Sequence, residues 1–369
     1  MVGIPGIATP RRDVASHCRP FRRGRVNLAG CRRGASQACR SSNTPVIVIY
    51  QAVNILRSGG LVAFATETVY GLGADATNPG AVQKIFAAKG RPPTNPLIVH
   101  VANADIAKRY TTNWPTIADQ LAHHFWPGPL TLVLPKSEMI CDQVTAGRAT
   151  VGVRVPNHPV ALALLKAFDG PVAAPSANRA NHISPTRSEH VRAELGNRVD
   201  LILEGGPCSV GIESTVLDLS TARPCILRPG GISRRQIESV IGLVDLFSGS
   251  VDPKMAAVSP GQQPRHYAPQ TPAFRFDRNQ RAAVLRRSQS IVLVFGSTDA
   301  LPPLPSVIRM PDDPEAYARL LYQTLREADE KHPTAIHVEM PPDEPRWLAV
   351  RDRLTRATTP LESQDQTGI

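Results

Sequence analysis

The feature that most limits what this chain can become is a pair of short apolar runs bracketing a helical pattern, within residues 61–100. Leu61 to Ala65 is continuously apolar and stops at Thr66-Glu67-Thr68, after which Gly71 and Gly73 read as a glycine-rich turn. Asn78-Pro79 then gives an N-cap with proline at the first helical position. Val82, Ile85 and Phe86 supply the apolar stripe of a helix that runs to about Lys89. Lys89-Gly90-Arg91-Pro92-Pro93 ends it, and a second run, Leu97 to Val101, follows with His100 inside it. Continuous apolar runs of this length predict strands buried on both faces. Such strands, alternating with helices, build an open α/β sheet whose ligands collect at strand ends. Hydroxyls, a carboxylate and two cations stand at those ends here.

The alternation continues on both sides. Val46 to Leu56 has helical spacing and Gly59-Gly60 to end it. Ile117–Trp126, Val160–Phe168, Ser188–Leu195 and Arg234–Ile241 read as helices. Leu130–Leu134, Thr150–Val155, Val172–Ala174, Val199–Leu203, Thr215–Leu219 and Ile226–Leu227 read as strands. Residues 45–246 are thus predicted to form one α/β domain with a mixed sheet. Residues 247–272 are rich in Ser, Gly, Pro and Gln and read as a linker, though Arg265-His266-Tyr267-Ala268-Pro269 is denser in polar groups than a spacer requires. Ile291–Phe295, Glu315–Ala328, Ala335–Val338 and Trp347–Arg356 then predict a smaller α/β domain over 273–369.

Charge matters only once it is located. The net charge is +11, but residues 1–44 hold nine arginines against one acid, Asp13, so +8 belongs to that stretch and +3 to the rest. Residues 1–44 have no apolar periodicity and are predicted to be a disordered extension; an Arg- and Ser-rich, acid-poor transit peptide or a start codon placed too early would give the same composition. The mildly basic body argues against a protein that coats nucleic acid. Aromatics at 5% also argue against a groove that stacks single-stranded bases. No window approaches the roughly 18 apolar residues of a membrane helix. No two of the six cysteines are spaced as C-x-x-C, so neither a disulfide framework nor a zinc site is predicted, and a reducing, cytoplasmic compartment is the default.

Familiar catalytic patterns are missing. There is no G-x-x-x-x-G-K-[ST], no G-x-S-x-G and no H-E-x-x-H, and Gly71-Leu72-Gly73 lacks the third glycine of a dinucleotide fingerprint. His123-His124 are adjacent on a predicted helix, which suits exposed or half-buried histidines. What remains is a series of cations and hydroxyls at strand and helix ends. Lys89 is either simple compensation of a helix dipole or a ligand-binding cation, whereas Arg91 is directed by the prolines behind it. Arg154 is either a sheet-edge arginine or a fork for a carboxylate. Pro175-Ser176-Ala177-Asn178 is either a turn or a place for close backbone approach. Ser214-Thr215 and Arg228-Pro229-Gly230 repeat the strand-end placement. Together they describe a site for polyphosphate and a small zwitterion, without an acid–base pair.

These segments carry a resemblance. ETVYGLG (67–73), KGRP (89–92), NPLIVHV (95–101), VRVP (153–156), PSAN (175–178), EST (213–215), RPG (228–230) and SPG…RHYAP (259–269) resemble the threonylcarbamoyl-AMP synthases of the YrdC-like fold, in order and at family spacing. The tail, including DRLTRA (352–357), is similar to the C-terminal domain of that family's long form. The resemblance implies a YrdC-like mixed twisted sheet with helices plus a small Rossmann-like domain. It implies a nucleotidyltransferase that makes threonylcarbamoyl-AMP and pyrophosphate from L-threonine, bicarbonate or CO2, and ATP with Mg2+, for threonylcarbamoyladenosine in tRNA. By motif position it assigns Thr68, His100, Arg154, Ala174 and Ser214 to threonine. It assigns Lys89, Arg91, Asn95, Thr150, Ser176, Asn178, Ser184, Arg228 and Tyr267 to ATP, with residues 247–272 as a lid. It names no protein metal ligand, and it adds tRNA or the threonylcarbamoyl-transfer machinery as further partners. Two other readings compete: an RNA-binding or ribosome-associated module using the same basic concavity, and a related carbamoyl-transfer enzyme.

Overall fold

The computed structural model describes residues 44–247, 266–287, 289–296 and 306–361. The N-terminal extension up to residue 43 and most of the predicted linker, including Ser259-Pro260-Gly261 and Arg265, lie outside the described residues.

Ten strands form one mixed sheet. From one edge to the other the order is Asp245–Leu246, Cys225–Arg228, Thr215–Asp218, Leu130–Pro135, Thr150–Arg154, Ile98–His100, Val172–Ala173, Gly71–Asp75, Val62–Phe64 and Leu201–Leu203. Apolar runs become central strands because both of their faces are covered. Val62, Ala63, Phe64, Leu130 and Leu132 have no exposed surface. Helices Thr44–Arg57, Thr116–Phe125 and Pro159–Phe168 lay apolar stripes (Ala52 and Leu56, Ala118 and Leu121, Leu164 and Leu165) into the same core.

Local signals fix the helix that leads to the site. Asn78 accepts from the Ala81 N–H at 3.1 Å, as the Asn-Pro pair predicts, and the helix ends at Lys89 with Gly90 at φ 61°. That left-handed cap is a conformation glycine reaches without steric cost.

The predicted turn at Gly71 and Gly73 is instead a strand, Gly71–Asp75, third from one edge of the sheet. The glycines serve close packing rather than chain reversal. A Cβ on Gly73 would lie 2.8 Å from Phe64 Cε1 and 2.9 Å from Val172 Cγ1. Gly73→Ala should therefore cost about 1–3 kcal/mol through overpacking, measurable as a lower denaturant midpoint with an unchanged m-value.

The second domain is a five-stranded sheet in the order Val307–Met310, Ser290–Phe295, Ala335–Glu339, Ala273–Phe276, Thr359–Pro360, with every pairing parallel. Ala273–Phe276, Val307–Met310 and Thr359–Pro360 were not among the predicted strands. They are short, Arg275 and Arg309 interrupt the apolar residues of two of them, and the third is only Thr359–Pro360. Helices Pro314–Asp329 and Leu348–Ala357 bring Tyr317, Leu321 and Leu354 into one cluster with Val69, Ile183 and Ile212 of the first domain. The two domains thus share a core. Among the described residues, no helix is long and apolar enough to cross a membrane.

Candidate active site

Sheet register builds the site. Ile98–His100 and Thr150–Arg154 run parallel with His100 opposite Arg154, so both side chains emerge at adjoining strand ends. Leu130–Pro135 runs parallel to Thr215–Asp218, bringing Thr131 Oγ1 within 2.8 Å of Ser214 Oγ. The Thr66–Val69 loop closes another side, its Thr66 hydroxyl donating to the Val69 carbonyl at 2.6 Å. The resulting cavity is lined by Thr66, Thr68, Arg91, His100, Arg154 and Ala174, and further by Ser176, Glu213, Ser214, Arg228, His266 and Tyr267.

Five residues assigned to threonine (Thr68, His100, Arg154, Ala174, Ser214) and four assigned to ATP (Arg91, Ser176, Arg228, Tyr267) therefore meet in one place. Lys89, Asn178 and Ser184 are brought to its back wall instead. The Lys89 ammonium donates to the Ser176 carbonyl at 2.5 Å and to the Asn178 carbonyl, so it shapes the Ser176–Asn178 loop rather than merely balancing a helix end. Asn95 is buried beside them, its carbonyl 3.3 Å from Arg91 Nε. Thr150 is not brought in: it starts the strand that Arg154 ends, and it lines a smaller cavity with Arg148 and Val216 that shares Ile98 with the main one.

Arg154 is not a sheet-edge arginine. It is buried, its Nε donates to the Gly128 carbonyl at 3.2 Å, and its Nη2 donates to Thr68 Oγ1 at 3.0 Å and lies 2.8 Å from Glu67 Oε1. Glu67 has no role of its own legible in the sequence; its part is to neutralise this arginine inside the protein. Glu213 is the second residue to which sequence reasoning gave no part. Its Oε1 accepts from Ser184 Oγ at 2.6 Å and its Oε2 from Arg353 Nε at 2.7 Å and from the Tyr322 hydroxyl at 2.9 Å. The Glu-Ser-Thr string marked its place, but two of its partners lie in the other domain.

Burial dominates the electrostatics. It lowers Lys89 well below the ordinary lysine value, with the neighbouring Arg91 adding to the effect. It takes Arg91 down to about 10 and lowers Arg228. Burial and then Arg154 push His100 down to about 3; burial and then Arg91 do the same to His266. Both rings are neutral at physiological pH. Burial by itself would raise Glu213, but Arg353, Arg228 and the Ser184 hydroxyl hold it down to about 2. The cavity is therefore a buried concentration of positive charge with neutral rings and one committed carboxylate, which favours anionic ligands. At about 50 Å³ it holds only a few water-sized groups.

Comparison with known proteins settles the family. The chain is 41% identical to the threonylcarbamoyl-AMP synthase of Bacillus subtilis over 332 residues, covering 86% of this chain and 94% of that one. The chain belongs to the threonylcarbamoyl-AMP synthase family. A second family member, from Schizosaccharomyces pombe, is 35% identical over 84% of this chain and 87% of its own. Residues 54–230 match the Sua5/YciO/YrdC family model, described as telomere recombination, and residues 232–359 match the threonylcarbamoyl-AMP synthase C-terminal domain. The crystal structure of Pyrococcus abyssi Sua5 complexed with L-threonine superposes with a TM-score of 0.78 at 37% identity, over 85% of this chain and 96% of that one. That structure thus shares this fold through both domains.

Proposed function

We propose that the chain joins L-threonine, bicarbonate or CO2, and ATP into threonylcarbamoyl-AMP with release of pyrophosphate, a nucleotidyl transfer. Threonine's neutral amine first adds to CO2, opening a C=O π bond and releasing a proton from nitrogen; bicarbonate supplies the CO2 by loss of hydroxide. A carbamate oxygen then attacks the α-phosphorus, and pyrophosphate leaves with the electrons of the broken P–O bond. The observation that carries this reading is the meeting, in one buried pocket, of an arginine suited to a carboxylate with cations suited to a polyphosphate.

Arg154 holds threonine's carboxylate beside Thr68 and Ser214. The neutral His100 ring and Ala174 pack against the remainder of the amino acid. Arg91 and Arg228 face the phosphates, and Lys89, Asn95, Asn178 and Ser184 hold the walls of the nucleotide side; Thr150 in its separate cavity marks that side's far end. Reaction between two anions needs its charge neutralised in place, and buried cations do this without reorganisation. His266 and Tyr267 line the pocket from outside the large sheet; the Tyr267 hydroxyl is buried with no hydrogen-bond partner among the described residues. Closure by these groups keeps water from a labile carbamate and adenylate.

Mg2+ is proposed to accompany ATP. The pocket's carboxylate, Glu213, already has three donors on its two oxygens, and no group of three or more His, Cys, Asp or Glu among the described residues is placed to hold an ion. These residues do not fit a protein-built magnesium site, so the ion is best assigned to the substrate's own phosphates. The product would pass to the machinery that transfers threonylcarbamoyl to tRNA adenosine.

The test is release of pyrophosphate from ATP by the full chain, expected only with L-threonine and bicarbonate together. Folded protein that leaves ATP unchanged under those conditions would overturn the reading.

A further inference from the structure

Arg353 lies in the second domain, on the helix Leu348–Ala357, and has no exposed surface. Its Nε donates to Glu213, a lining residue of the pocket in the first domain, and its guanidinium carbon lies 5.2 Å from the ring centroid of Tyr267, another lining residue. Tyr267 is held at φ 61°, a backbone region that a bulky residue adopts only when its surroundings dictate it. One turn further along the same helix, the Arg356 carbonyl accepts from the His266 N–H at 3.1 Å. Tyr322, on the helix Pro314–Asp329, supplies the second hydroxyl to Glu213. Two helices of the second domain therefore grip a carboxylate and an aromatic ring of the catalytic pocket.

An ion pair is a poor choice if joining the domains were its only purpose. Desolvating two charges costs several kcal/mol, and apolar residues of similar volume often serve as well or better. Apolar contact between the domains is already present, with Val69, Ile183 and Ile212 against Tyr317, Leu321 and Leu354. What the pair adds is direction and charge. With Arg353 in place, Glu213 is answered from the second domain; without it, the other arginine that stabilises the Glu213 charge is Arg228, which would then serve a protein carboxylate instead of a phosphate.

We propose that Arg353 is a positioning residue for the nucleotide half of the pocket, setting Glu213 and Tyr267 and so making the second domain a working part of the site. This rests on the assignment of ATP to that pocket. The experiment uses the full chain with Arg353→Gln, Arg353→Lys and Tyr322→Phe, each checked for folding by circular dichroism and thermal unfolding. Pyrophosphate release gives KM for ATP and kcat, and calorimetry gives the affinity for L-threonine. Arg353→Gln should raise KM for ATP about tenfold or more while threonine affinity stays within about twofold, since only the nucleotide side loses its brace. Arg353→Lys, which keeps the charge without the fork, should recover part of that loss. Tyr322→Phe removes one of three donors and should raise KM for ATP about threefold, which keeps the test open if Arg353→Gln fails to fold.

Folded variants with unchanged KM for ATP would overturn the proposal, and so would a fall in kcat that merely tracks the loss of folded protein. An inactive wild-type chain would overturn the functional reading and this inference with it; an active wild type with insensitive variants would overturn the inference alone.

Discussion

Arg154→Leu is expected to lower L-threonine affinity by at least about a hundredfold, because the pocket loses the fork that meets the amino acid's carboxylate. It should also cost about 3–5 kcal/mol of stability, since the change strands Glu67 as a buried charge without its cation. Both residues are almost completely buried, at 4% and 5% side-chain exposure, so water cannot take over the arginine's part. The two effects separate in a double variant. Glu67→Gln with Arg154→Leu removes the stranded charge and should return most of the stability, measured by denaturant unfolding, yet none of the threonine binding, measured by calorimetry. Threonine saturation that is unaltered in Arg154→Leu would show that the arginine serves only its internal pair. A guanidinium has five donors, so pairing with Glu67 leaves capacity for a second carboxylate.

Lys89→Met is expected to raise KM for ATP by about a hundredfold, which corresponds to nearly 3 kcal/mol. The loss has two sources: a cation in the wall behind the phosphate-facing arginines, and the Ser176 and Asn178 carbonyls left buried without their donor. A proton measurement identifies the charge separately. Burial and Arg91 hold the Lys89 ammonium well below its ordinary pKa. A bound triphosphate favours the charged form and so raises that pKa, which means the complex holds more protons than the free protein. ATP binding should therefore take up protons, increasingly as pH rises through the depressed value. Calorimetry in buffers of different ionisation enthalpy reads this uptake directly. Lys89→Met should lack the uptake; an unchanged uptake in the variant would assign the proton to another group.

Much of this was legible in the chain, and for identifiable reasons. Asn78-Pro79 and Gly90 bound a helix because capping and left-handed geometry act over a few residues. The runs at 61–65 and 97–101 announce buried strands because continuous hydrophobicity is sufficient when both faces are covered. Those elements also carried Thr68, Lys89, Arg91 and His100 to strand and helix ends, as the strand Thr150–Arg154 carried Arg154, so the character of the pocket could be read before its shape. Gly71–Asp75 could not, because a strand whose glycines admit Phe64 and Val172 looks locally like a turn.

The sequence by itself determined which elements form and which chemical groups stand at their ends, since propensity, capping and hydrophobic period are decided among near neighbours. Only the tertiary structure decided that Arg154 is already matched by Glu67, that Thr150 lines a different cavity, and that a carboxylate in the first domain belongs to an arginine 140 positions away in the second. A partner for a buried charge is fixed by strand order and domain packing, which place groups together at a strength set by desolvation, and no local period in the chain records that choice.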